Sequence, residues 1–332
     1  MQKQINESPL IIITGAIGMI GSSVVRYLND MGQTNLVLVD ELDSTDKWKN
    51  LLGKQFKTIV APQNIFSFLA GREKEIAAFI HLGACSDTLE KNGNFLLENN
   101  YRFSMRLAEY ALTYGHRFIY ASSAATYGDG SLGFSDDHAK LLELKPLNLY
   151  GFSKHLFDLW ALHEGVLDQM VGLKYFNVFG PNENHKGHMS SMVYKMYPTV
   201  RDLGLLRLFQ SSDPKRFADG ESVRDFIYVK DAARLTCEFL ANSLGGIFNI
   251  GSGYPTTWNQ LASSVFTALD KPVNIEYIPM PEDLKKQYQN YTCADMSKLK
   301  EKRGSATPLC NYSVEAGVQD YVLHYLSKDA RW

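Results

Sequence analysis

The sequence predicts an α/β fold: a doubly wound parallel sheet of Rossmann type with a second, smaller substrate-binding domain. Two observations carry that prediction. Apolar runs of strand length alternate with helical patterns from Leu10 onward, and the glycine-spaced turn Gly15-Ala-Ile-Gly18-Met-Ile-Gly21 joins the first run to the first helical pattern. Such alternation builds a parallel sheet covered by helices on both faces. At 332 residues, 45% hydrophobic and 21% charged, the chain can bury a substantial core, and disorder is not the default.

The first run, Leu10-Ile-Ile-Ile-Thr14, reads as a buried strand, because parallel strands are covered on both faces. A helix over 19–28 follows. Between them, glycines let the backbone turn sharply, approach a diphosphate closely and pack helix on strand, while free helix amides bind the phosphates. A second strand at 36–39 ends at Asp40, about 20 residues past the loop, where a carboxylate accepts hydrogen bonds from adenosine ribose hydroxyls. Taken alone, Asp40 favours NAD. Strands at 58–61, 78–82 and 118–121 and a helix over 94–114 continue the pattern. The strand at 118–121 runs into Ser122-Ser-Ala-Ala-Thr-Tyr-Gly128, a hydroxyl cluster at the sheet edge that faces the ligand crevice. A serine there can hydrogen-bond a reacting hydroxyl or carbonyl.

Tyr150 and Lys154 follow in Asn148-Leu-Tyr-Gly-Phe-Ser-Lys154. On a helix they share a face. A phenol of pKa about 10 is a poor base at neutral pH, and an ammonium beside it favours the phenolate. An isolated Tyr-x-x-x-Lys is a weak signal; preceded by the glycine loop and the serine-ended strand, it becomes a strong one.

Strand-like runs at 171–175, 226–229 and 246–250 carry the sheet past this helix. The segments 180–220 and 253–332 are less regular, with Gly251-Ser-Gly253 and Pro279-Met-Pro281 as loop punctuation. The division expected is a dinucleotide-binding domain over 1–179, with 221–252 returning to it, and a smaller discontinuous domain from the other two segments. A formal charge of −2 leaves no basic excess for nucleic acid, and Lys300-Glu-Lys-Arg303 reads as solvated surface. Four cysteines without a C-x-x-C pair or zinc spacing indicate reduced thiols and no metal. The first nine residues hold no long apolar core, and the run at 10–13 is too short to span a bilayer. A cytoplasmic protein is expected.

These motifs, with His81-Leu-Gly-Ala-Cys-Ser86, Lys174-Tyr-Phe-Asn-Val-Phe-Gly-Pro181, His185-Lys-Gly-His-Met189 and Arg224-Asp-Phe-Ile-Tyr-Val229, make the chain resemble the extended short-chain dehydrogenase/reductase family over nearly its whole length. Within that family it is similar to the epimerases that invert the exocyclic C6″ of an ADP-heptose for lipopolysaccharide core precursors. The resemblance implies oxidation to a transient aldehyde, hydride return to the other face, no net redox and a homo-oligomer, a homopentamer in particular. It implies cofactor contacts from Gly15, Ile17, Gly18, Met19, Ile20 and Gly21, from Asp40, Glu41 and Lys47, from Leu82, Gly83, Ala84, Cys85 and Ser86, and from Asn99, Lys154, Val178 and Lys186. Lys47 matches a lysine for the 2′-phosphate of NADP, whereas Glu41 departs from the family's usual uncharged residue.

Tyr150 and Lys186 are the implied acid/base pair, with Ser123 positioning the reacting oxygen. Asn177, His188, Phe209, Gln210, Ser211, Ser212, Arg224 and Tyr288 match substrate-side positions. Lys195 stands where the family often has histidine, and 213–220 extends the preceding loop. A nucleotide-sugar 4-epimerase would use the same loop, serine and Tyr150/Lys154, but the segment at 185–189 favours the exocyclic reaction. A 4,6-dehydratase would carry an acidic pair where Ala124-Ala125-Thr126 stands. A catalytically silent dinucleotide sensor would have no use for Ser123, Tyr150, Lys154 and Lys186 together.

Overall fold

A computed structural model describes residues 9–285, 288–304 and 308–332. From the first residues onward it is a run of β/α units: β1 (Leu10–Thr14), α1 (Met19–Asp30), β2 (Leu36–Val39), β3 (Thr58–Val60), α2 (Ile65–Leu69) and β4 (Ile76–His81). Next come α3 (Gly93–Leu96), α4 (Phe103–Thr113), β5 (Arg117–Ser123), α5 (Leu149–His163), β6 (Val171–Tyr175) and β7 (Asn177–Phe179). The expected helix over 94–114 is interrupted by a π-helical stretch at Leu97–Arg102. Ridges of buried Val, Leu, Ile and Phe on β1, β2, β4, β5 and β6, with the inner faces of α1 and α4, form the main core.

The remaining elements are α6 (Met192–Leu203), β8 (Leu206–Phe209), β9 (Val223–Tyr228), α7 (Val229–Glu238), β10 (Gly246–Ile250), β11 (Pro255–Thr257), α8 (Trp258–Ala268), β12 (Ile275–Ile278), α9 (Glu282–Lys285), α10 (Ser297–Arg303) and α11 (Val314–His324). The main sheet has the order β10-β6-β5-β4-β1-β2-β3, with every pair parallel. Connections run outward in opposite directions from β1 and β4, and a crevice opens at the strand ends where that reversal occurs.

Two expectations change here. The run at 226–229 does not join the main sheet: β9 pairs with β7 and β11 in a separate three-stranded sheet, and Val229 already opens α7. The segments read as less regular hold α6, α8 and α11, which bury a second core of Val193, Met196, Leu261, Val265, Phe266 and Val318 around Phe179 and Phe226. The basic cluster also differs at its end. Arg303 is half-buried and pairs with Glu238, Nε to Oε2 at 2.8 Å, whereas Lys300 and Lys302 are exposed.

Candidate active site

Gly15 adopts φ +64°, a conformation that side chains disfavour, and a Cβ there would lie 2.6 Å from Gly83 N. A Cβ on Gly21 would fall 2.0 Å from Gly15 O. These two glycines let α1 start directly behind β1 and against the loop after β4. No side chain caps α1, so its first-turn amides are left for an anionic ligand. Thr14 Oγ1 accepts from Gly83 N at 3.0 Å and binds the two loops together. A dinucleotide's diphosphate fits this cradle, because the uncapped first-turn amides of α1 open on the crevice that Gly15, Gly18 and Gly21 line. Asp40 is used differently from the simplest expectation. Its Oδ2 accepts from Ile17 N and its Oδ1 from Glu41 N, each at 2.8 Å, while Lys47 Nζ lies 3.1 Å from Asp40 and 3.2 Å from Asp43. Burial acts against the Lys47 charge, but the two carboxylates win and raise its pKa.

Asn148 caps α5 by accepting from Gly151 N at 2.8 Å, which puts Tyr150 in the first turn. Gly151 in turn lets this helix end pack on the turn after β5, since a Cβ would meet Ala125 O at 2.7 Å. Tyr150 and Ser123 are thereby brought within hydrogen-bonding reach. Burial raises the Tyr150 pKa and the Ser123 hydrogen bond lowers it. The net direction is the reverse of the expected depression by Lys154. The reason is geometric: Lys154 Nζ donates to Ala121 O at 3.0 Å, and burial lowers its own pKa to about 8.

A crevice of 1410 Å³ is lined by the glycine loop, Asp40, Glu41, Lys47, residues 82–86, Asn99, Ser123, Tyr150, Lys154, Asn177, Val178, Lys186, His188, Lys195 and Arg224. Burial lowers the Lys186 pKa, with Glu183 opposing and Lys195 assisting. His188 Nε2 lies 3.1 Å from Asp87 Oδ1, and Lys195 Nζ donates to His188 O at 2.6 Å. Arg224 makes no ion pair among the described residues. Its guanidinium lies 5.7 Å from the Trp258 ring and 5.1 Å from the Tyr288 ring, and burial lowers its pKa.

Ile17 is buried and reaches the site only through its backbone. Phe209, Gln210, Ser211 and Ser212 are not brought to the crevice wall. The loop's own bonds hold them elsewhere: Gln210 N donates to Ile278 O, Ser211 N to Asp219, and Ser212 Oγ to Asn290. Conversely, Trp258, Phe66 and Arg106 line the crevice without a sequence motif to mark them. Trp258 Nε1 donates to Tyr288 Oη at 2.7 Å, and the Arg106 guanidinium lies 4.4 Å from the Phe66 ring. Among the described residues, no group of three or more His, Cys, Asp or Glu side chains is placed to hold a metal ion, and no helix is long and apolar enough to cross a membrane.

Residues 11–251 match the NAD dependent epimerase/dehydratase family. The chain is 48% identical over 319 residues to an ADP-L-glycero-D-manno-heptose-6-epimerase of Nitratidesulfovibrio vulgaris (strain DP4), covering 95% of this chain and 98% of that one. It is 41% identical to a protein of the same name from Fusobacterium nucleatum, covering 96% and 99%. Among solved structures, the Helicobacter pylori ADP-L-glycero-D-manno-heptose-6-epimerase superposes with a TM-score of 0.78 at 26% identity, covering 96% of this chain and 98% of that one.

Proposed function

The chain belongs to the NAD dependent epimerase/dehydratase family, and from that premise we propose that it epimerises ADP-D-glycero-β-D-manno-heptose to the L-glycero form at C6″. The observation that carries this reading is the placement of Tyr150, from α5, and Lys186, from the turn before α6, on the walls of one crevice with the glycine loop. Inversion through an aldehyde moves the reacting oxygen, so one acid/base group must serve each orientation. A nicotinamide dinucleotide would be held by the glycine loop, Asp40, Lys47 and Lys154 and would supply reversible hydride acceptance from C6″. Tyr150 Oη and Lys186 Nζ exchange protons with the C6″ oxygen, one accepting as the hydroxyl becomes a carbonyl and the other donating as the carbonyl is reduced. Burial moves Tyr150 toward its protonated form and Lys186 toward its neutral form, which separates donor from acceptor. In the reverse direction the roles exchange.

Ser123 Oγ holds the reacting oxygen by hydrogen bond. Arg224, which makes no ion pair among the described residues, takes the ADP diphosphate through its rigid fork. Asn177, His188 and Lys195 face the sugar, and Tyr288 supports Arg224. The cofactor is NADP, for whose 2′-phosphate Lys47, on the crevice wall beside Asp40, would supply the positive charge. The enzyme is a homo-oligomer that supplies the cytoplasmic precursor of a lipopolysaccharide core.

The test is to offer ADP-D-glycero-β-D-manno-heptose without added nicotinamide and read C6″ by NMR, with UDP-glucose in parallel. An equilibrium mixture of heptose epimers without net absorbance change at the reduced cofactor's band is expected. Turnover at ring C4 with inert ADP-heptose would move the assignment to a 4-epimerase. Mass analysis of the denatured supernatant separates NADP from NAD.

A further inference from the structure

Behind the β5 edge that carries Ser123 lies a charged cluster for which the proposed chemistry has no use. Asp158 and Lys174 are fully buried and pair at 3.1 Å. Asp158 sits one turn after Lys154 on α5. Its carboxylate accepts from Tyr120 Oη at 3.0 Å and from Ser122 Oγ at 2.7 Å. Ala121, between those two, accepts Lys154 Nζ at 3.0 Å. Three successive residues of β5 are therefore bound to two residues of α5. Lys174 closes the cluster from β6 by donating to Thr126 Oγ1 at 2.5 Å, in the turn that follows Ser123. A buried ion pair is a weak source of net stability, because desolvation offsets the attraction, and fixing register is its best-attested use.

We propose that Asp158 is a positioning residue for the epimerisation: it locks β5 to α5 so that Ser123 and Tyr150 keep their hydrogen-bonding reach, and it holds the charge on Lys154. This rests on the reading that Ser123, Tyr150 and Lys154 carry the chemistry. The groups facing Lys154 are Asp158 on its own helix, Cys85 from the loop after β4 and His81 from β4, with Lys174 from β6 paired to the same Asp158 carboxylate. Burial pushes the Cys85 thiol and the Tyr150 phenol up and holds the His81 imidazole neutral. At neutral pH that leaves Asp158 as the charge that keeps the buried ammonium protonated.

The experiment compares parent enzyme, Asp158→Asn and Ser122→Ala, each with its dinucleotide bound. Lys154 is titrated by NMR of isotope-labelled lysine side chains, assigned with Lys154→Arg, and the pH profile of ADP-heptose epimerisation is measured alongside. In Asp158→Asn the Lys154 titration should fall by about one pH unit, the alkaline limb of the profile should move down with it, and kcat should fall while KM holds. An unchanged Lys154 titration would overturn the electrostatic role. Ser122→Ala keeps the charge and removes one tie to β5, so kcat should fall about tenfold with the Lys154 titration unmoved. Parent kcat in that variant would overturn the positioning role, and it decides that role alone should Asp158→Asn fail to fold. An inert parent enzyme would instead sink the heptose reading, while the Lys154 titration would still judge the electrostatic claim.

Discussion

Acidification should weaken this protein through one buried histidine. Ser104 Oγ gives its proton to Asn100 O at 2.7 Å, so His81 Nε2, 2.7 Å away, must donate to it. Nδ1 is then the acceptor for Thr14 Oγ1 at 2.6 Å, and Thr14 in turn accepts from Gly83 N. A proton on Nδ1 would reverse the Thr14 bond. Burial, seconded by the Lys154 charge, lowers the His81 pKa to about 3. In the unfolded chain histidine titrates near its ordinary value of about 6.5. Between those values the unfolded state binds a proton that the folded state refuses, so stability falls as pH falls through that window.

At about 1.4 kcal/mol per unit, the loss attributable to His81 between pH 6.5 and 3.5 is about 4 kcal/mol, a large share of a typical stability of roughly 5–15 kcal/mol. His81→Asn keeps an acceptor for Thr14 and cannot titrate. Urea unfolding followed by circular dichroism across this pH range should give the parent the steeper dependence, by about one proton. Parallel slopes for parent and variant would refute the assignment of a neutral His81.

Tyr150→Phe and Lys186→Ala should each cut epimerisation by about 10²–10⁴-fold with thermal unfolding unchanged. Near-parent turnover in a folded variant would remove that residue from the acid/base pair. Gly21→Ala should abolish retention of the dinucleotide through purification, because its Cβ would sit 2.0 Å from Gly15 O and the cradle must open; absorbance of the denatured supernatant reads the loss. Lys47→Met should weaken NADP roughly 10–100-fold, the worth of a charged hydrogen bond, and leave NAD within a few fold. Equal losses for both cofactors in a rebinding titration would count against a 2′-phosphate site at Lys47.

The sheet was legible in the chain because parallel strands are short apolar runs and the turn after β1 needs glycine at Gly15 and Gly21 for steric reasons local to those residues. Tyr150 and Lys154 were legible because helical spacing fixes which side chains share a face. Tertiary structure alone decided the electrostatics. Whether Tyr150 is raised or lowered depends on how deeply α5 packs on the turn after β5, and on Lys154 turning to Ala121. Packing also decided which residues converge on the crevice. Phe209–Ser212 are adjacent in sequence yet drawn off by partners at 219, 278 and 290, whereas Trp258, Phe66 and Arg106 arrive from separate helices with no shared spacing to betray them. The run at 226–229 has the composition of a sheet strand, but hydrogen-bond partners are chosen by the whole fold, and β9 found its neighbours in β7 and β11. Asp158 and Lys174, 16 positions apart, meet only because α5 lies across β5 and β6. Burial and partner choice are properties of the assembled chain, and a linear pattern specifies them only where the contact is local.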